Sequence, residues 1–151
     1  MRSAELARLF EDYVSYHRNP TNKLFHYVGI PVIVFTILGL LWKASPAIAV
    51  LIALCVILYD LRLSVRLTVP FAAFALICAV VAPRLSTTIL WAGFVLGWVL
   101  QLAGHFVYEK NSPAFLENLR QLLVAPLWII ESLVGRREAP AEAPGSGPPA
   151  E

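Results

Sequence analysis

The sequence predicts an all-α fold: a polytopic transmembrane bundle of about four spans with flanking amphipathic helices. Three observations predict it. Hydrophobic residues make up 58% of the 151 residues and charged residues only 15%, whereas soluble domains carry about 25% charge. The apolar residues come in long blocks, more surface than a soluble core of this size can enclose. The basic residues fall between alternate blocks, as membrane topology requires.

A single membrane-embedded domain is expected over residues 1–137. Residues 4–17 read as an amphipathic helix. Leu6, Leu9, Phe10, Tyr13, Val14 and His17 recur at spacings of three and four along one face, and Glu5, Arg8, Glu11 and Asp12 take the other. Ser3 suits an N-cap, and Arg18–Asn22 reads as a turn by composition. The spans are expected at about 24–42, 46–59, 67–82 and 87–108. The first is long enough for about 30 Å of hydrocarbon, with Gly29 and Pro31 kinking or unwinding its start. The 46–59 block is short, so it must thin the bilayer, use snorkelling flanks or re-enter. Gly93 and Gly97 have the GxxxG spacing that suits close helix packing. Residues 114–134, interrupted by Pro126, are too polar for a span and read as an interfacial helix or one packed back on the bundle. The tail, 138–151, has the Ala, Pro, Gly, Ser and Glu composition of a disordered segment.

If all four blocks cross, one side holds Arg2, Arg8, Arg18, Lys23, Arg62, Arg66, Lys110, Arg120, Arg136 and Arg137, and the other holds Lys43 and Arg84. This positive-inside bias puts both termini in the cytoplasm, of a bacterial inner membrane or an endoplasmic reticulum. No signal peptide is recognisable at the start. Nucleic-acid binding is excluded as a reading, because the net charge is only +2 and the basic residues are scattered singly. Cys55 and Cys78 lie inside apolar blocks, as small buried hydrophobes rather than a disulfide or metal pair.

The histidines are where chemistry is expected. On this topology His17, His26 and His105 all lie at the cytoplasmic boundary, and neutral imidazole is a common ligand for iron or zinc. Glu109, four residues after His105, and Asp60, at the same depth, are the available carboxylates. Gln101, four residues before His105, is placed to orient it. The competing reading is interfacial: an amphipathic ring sits at a membrane boundary without any ligand, and carboxylates there need no special role. Tyr13, Tyr16, Tyr27, Tyr108, Trp42 and Trp128 read as an aromatic belt. No phosphate loop, GxSxG, CxxC or HExxH motif is present.

Two stretches carry a resemblance. YVSYHRNPTNKLFHYVGIP, residues 13–31, and QLAGHFVYEKNSPA, residues 101–114, resemble the two motifs of the 2-hydroxy fatty acid dioxygenase family of small multi-span membrane proteins. The resemblance covers about residues 10–134. It implies an iron(II)-dependent α-oxidation, in which a 2-hydroxy fatty acid reacts with dioxygen and becomes one carbon shorter. It also implies that His17, His26 and His105 bind the Fe2+, and leaves open which carboxylate, if any, joins them. A 2-hydroxy acid can chelate a metal through carboxylate and hydroxyl. Arg18 or Lys23, with Asn22 between them, is placed to hold the carboxylate, and the acyl chain would lie among the spans, beside membrane lipid. The alternatives are a different lipid-directed metalloenzyme, such as a hydrolase, and a non-catalytic lipid- or partner-binding membrane protein.

Overall fold

The computed structural model describes residues 4–113 and 118–135. The expected tail at 138–151 and the start of the expected 114–134 helix, 114–117, lie outside the described residues. Six α-helices are described: α1 Ala4–Ser15, α2 Pro20–Ala44, α3 Pro46–Leu63, α4 Val65–Val81, α5 Thr87–Ala103 and α6 Arg120–Val134. A π-helical turn, Gly104–Glu109, continues α5. Four segments, Pro20–Ala44, Pro46–Leu63, Val65–Arg84 and Thr87–Glu109, are long and apolar enough to cross a membrane.

Local chemistry sets the boundaries. α2 begins inside the stretch read as a turn, because Pro20 needs no N–H partner at the first helical position and the Asn19 side chain accepts from Thr21 N at 2.9 Å. The helix runs unbroken past Pro31. Ser45 both ends α2 and caps α3, accepting from Ile48 N. α3 extends four residues beyond Tyr59 to Leu63, taking Asp60 and Arg62 into its last turn; its 18 residues reach about 27 Å at about 1.5 Å each.

α2 is the central helix, packed along its length against an antiparallel α5. His26 near the start of α2 meets His105 after the end of α5, and Gly39 near the end of α2 faces Leu90 near the start of α5. The two backbones meet closely at Gly97 and Gly29. A Cβ on Gly97 would stand 2.6 Å from Ile33 Cγ1 and 3.2 Å from the Gly29 carbonyl oxygen. Small residues that let two backbones meet are how helices associate in a bilayer. Gly97→Val is therefore expected to cost about 1–3 kcal/mol by overpacking, measurable as a lower Tm or loss of monodisperse protein after extraction.

The helices outside this bundle close one end of it. Leu6, Leu9, Phe10 and Tyr13 of α1 are buried in one cluster with Val124, Leu127 and Trp128 of α6 and Leu67 and Phe71 of α4. Gln121 reinforces the junction by donating to Asp12 Oδ2 at 2.5 Å. α6 thus packs back on the bundle through one apolar face, and α1 packs on α6.

Candidate metal centre

His17 follows the last turn of α1, His26 lies in the second turn of α2, and His105 lies in the π-helical turn after α5. All three are buried, 1%, 3% and 3% exposed, and one ring nitrogen of each falls within 4.8 Å of the others. His17 Nε2 stands 3.0 Å from His26 Nε2, and His105 Nε2 stands 3.2 Å from the same atom.

The backbone fixes how two of these rings are protonated. His17 Nδ1 lies 2.5 Å from the Tyr13 carbonyl oxygen and His26 Nδ1 lies 2.8 Å from the Asn22 carbonyl oxygen. A carbonyl only accepts, so each Nδ1 carries the proton and each Nε2 a lone pair. Two lone pairs then face each other at 3.0 Å, an arrangement that favours a cation among them. Burial pushes His17 down to about 4, opposed in part by the Tyr13 carbonyl and aided by His105 and Lys23. At neutral pH that ring is therefore uncharged, the form a metal ligand needs. Two imidazole nitrogens on one metal, each at about 2.1 Å, stand roughly 3.0–3.4 Å apart at octahedral or tetrahedral angles. The donor set fits a metal ion, and carbonyls on the far nitrogens are the usual outer partners of metal-binding histidine.

The other expected residues are placed as follows. Glu109 does not join the histidines. Its carboxylate accepts from Arg18 N at 2.6 Å, Asn19 N at 2.9 Å and Asn22 Nδ2 at 3.2 Å, which pins the α1–α2 turn to the end of the fourth span. Asn22 is fully buried between that carboxylate and Gly104, whose missing Cβ leaves the room the Asn22 side chain occupies. Asp60 is fully buried too, but lies outside the histidine cluster, and its oxygens have no hydrogen-bond partner among the described residues. Gln101 donates to the Phe25 carbonyl at 3.3 Å, so its amide ties α5 to α2. Arg18 is exposed and Lys23 half-buried, both beside the cluster in sequence.

Two aromatic residues do more than a belt requires. Tyr13 stacks on His17 at 3.9 Å between centroids with an 11° interplanar angle. Trp128 lies 5.0 Å from Tyr13 and 6.0 Å from His17. The apolar face shared by Tyr13 and His17 is the sequence signal that could have shown this. Burial pushes the Tyr13 phenol up, with Tyr27 adding to it, so it stays protonated, and its hydroxyl has no hydrogen-bond partner among the described residues. Tyr13→Phe is therefore expected to hold or raise stability, by up to about 1–3 kcal/mol, because it removes a buried hydroxyl with no partner among the described residues. Tyr13→Ala should cost about 3–5 kcal/mol by opening a void under His17; thermal unfolding of both variants separates ring from hydroxyl.

The rings form the head of a cavity of about 280 Å³ whose walls are almost wholly apolar. It continues from His17, His26 and His105 past Ile30 and Val34 to Leu41.

Comparison with known proteins adds a lineage to this geometry. The family model described as 2-hydroxy-palmitic acid dioxygenase Mpo1-like matches residues 3–137. The chain belongs to this family. A curated member, the 2-hydroxy-palmitic acid dioxygenase MPO1 of Saccharomyces cerevisiae, is 35% identical over 127 residues, covering 78% of this chain and 73% of the yeast protein. No solved structure matches the chain. In this chain the buried histidine cluster lies at the end of the bundle where α1 and α6 pack.

Proposed function

We propose that this protein is an iron(II)-dependent dioxygenase that shortens 2-hydroxy fatty acids by one carbon. The observation that supports it most is the convergence of three imidazole nitrogens at the head of an apolar cavity. The family resemblance, and the yeast relative's name as a 2-hydroxy-palmitic acid dioxygenase, support the substrate class. The overall change balances as 2-hydroxy acid plus dioxygen giving the shortened acid, carbon dioxide and water. The C1–C2 bond breaks, C2 becomes the new carboxyl carbon, and dioxygen takes up the electrons.

Bound iron(II), held by His17, His26 and His105, would supply electron transfer between substrate and dioxygen. The chain's own residues do the rest. The Tyr13 and Asn22 carbonyls hold protons on the far nitrogens of two rings, keeping their Nε2 lone pairs directed inward. Tyr13 and Trp128 cover His17 and exclude water from that side. Arg18 and Lys23 provide positive charge for a carboxylate at the polar edge, and Asn22 keeps the turn between them in place. The acyl chain lies in the apolar cavity. The ends of the bundle differ in basic residues, with Lys43 and Arg84 at the end away from the histidines, which favours both termini and the metal on the cytoplasmic side.

The test is product analysis. Purified protein with iron(II), dioxygen and 2-hydroxypalmitate should form pentadecanoate, with one oxygen atom from labelled dioxygen in its carboxylate. Iron-loaded protein that leaves the 2-hydroxy acid intact would reject this substrate.

A further inference from the structure

The cavity also has a depth, and its depth has a chemical meaning. It follows α2 from His26 to Leu41, about 22 Å at about 1.5 Å per residue. Part of the way down, Ala53 of α3 and Ala75 of α4 line it, and both pack in one cluster with Leu38. Leu38 is about 18 Å below His26 along the helix. An extended acyl chain advances roughly 1.25 Å per carbon, from C–C bonds of about 1.5 Å. The space from the histidines to the level of Leu38 therefore takes about 14 carbons, and to Leu41 about 18. Neighbouring lining positions are larger: Val34, Val56, Phe71 and Leu38. Two alanines at one level, on different helices, keep the cavity from ending there.

The geometry points to Ala53 and Ala75 as the specificity-determining residues that admit the distal carbons of a long 2-hydroxy acyl chain. This rests on the oxidation reading for the identity of the head group, but the acyl site is tested separately from the reaction. Leucine at either position projects into the cavity beside the Val34–Leu38 stretch of α2, about two to three turns beyond His26, and leaves the histidine end unchanged. Chains that stop short of this level keep their contacts, while longer ones must bend or lose theirs.

The experiment is equilibrium binding of 2-hydroxy fatty acids of 10 to 18 carbons, about the span of lengths the cavity brackets, to metal-free protein in detergent. Wild type is compared with Ala53→Leu, Ala75→Leu and the milder Ala75→Val. Leu76→Phe, at a position 67% exposed on the outer face of α4, serves as the control. Each leucine variant should weaken the 16-carbon ligand at least about tenfold while the 12-carbon ligand stays within about twofold. Ala75→Val should shift the same way by less, so the trend survives if a leucine variant fails to fold. Equal weakening at all lengths, or no dependence on length in wild type and variants alike, overturns the inference. A length shift here, together with no oxidation product from iron-loaded protein under dioxygen, supports the acyl site and rejects the oxidation reading instead.

Discussion

Replacing His26 with alanine is expected to reduce iron(II) affinity by more than the about 10–100-fold that loss of an outer partner costs, and to bring turnover to background. His26 is the central ring: both other Nε2 atoms contact its own, at 3.0 and 3.2 Å. Without it the remaining two histidines offer a metal only two imidazole nitrogens. Metal-free His26→Ala protein should still fold, with a loss of stability set by removing one buried ring. Its fluorescence-monitored unfolding, beside an anaerobic iron titration, checks both halves of the expectation. Metal affinity equal to wild type would remove His26 from the site.

The second large effect is expected at Glu109, and of a different kind. Its two oxygens take the backbone N–H groups of Arg18 and Asn19 and the amide of Asn22. Hydrogen bonds to an ionised carboxylate are the stronger class, and the partners left behind lose them at once. Glu109→Ala should cost about 1–3 kcal/mol and release the turn that carries His17. Glu109→Gln, which preserves shape and one acceptor, should lose about half as much. The signature is coupling: thermal stability and iron affinity fall together in Glu109→Ala and recover together in part in Glu109→Gln, whereas His26→Ala loses far more affinity than its loss of stability accounts for. A Glu109 variant with normal Tm and no turnover would instead assign the carboxylate a chemical role.

The contrast between these two residues shows what the sequence could and could not reveal. Four apolar helices were legible because block hydropathy is a long-range average that no local contact overrides. The histidines were legible as a group because helix parity alone puts residues 17, 26 and 105 at one end. The partners of the histidines were not. Glu109, four residues after His105, would share its face in an α-helix, but the segment Gly104–Glu109 is a π-helical turn with i→i+5 bonding. That carboxylate therefore turns toward Arg18 and Asn19. Gln101 has the spacing to reach His105, yet it crosses to the Phe25 carbonyl because α2 comes so close at Gly29. The carbonyls that fix the rings belong to Tyr13 and Asn22, and a backbone acceptor leaves no trace in side-chain identity. The cavity was hidden for a similar reason: Val34 and Leu41 look the same in sequence whether they face lipid or an internal space.

Three imidazoles meeting at one ion are what the proposed chemistry requires. X-ray absorption at the iron edge, on tag-free protein loaded anaerobically with one equivalent of iron(II), tests that most directly. The expected spectrum shows imidazole scattering from three nitrogen ligands at roughly 2.1 Å, reduced when any one of His17, His26 or His105 is replaced by alanine. Iron that fails to bind, or binds with no imidazole signal, would contradict the account.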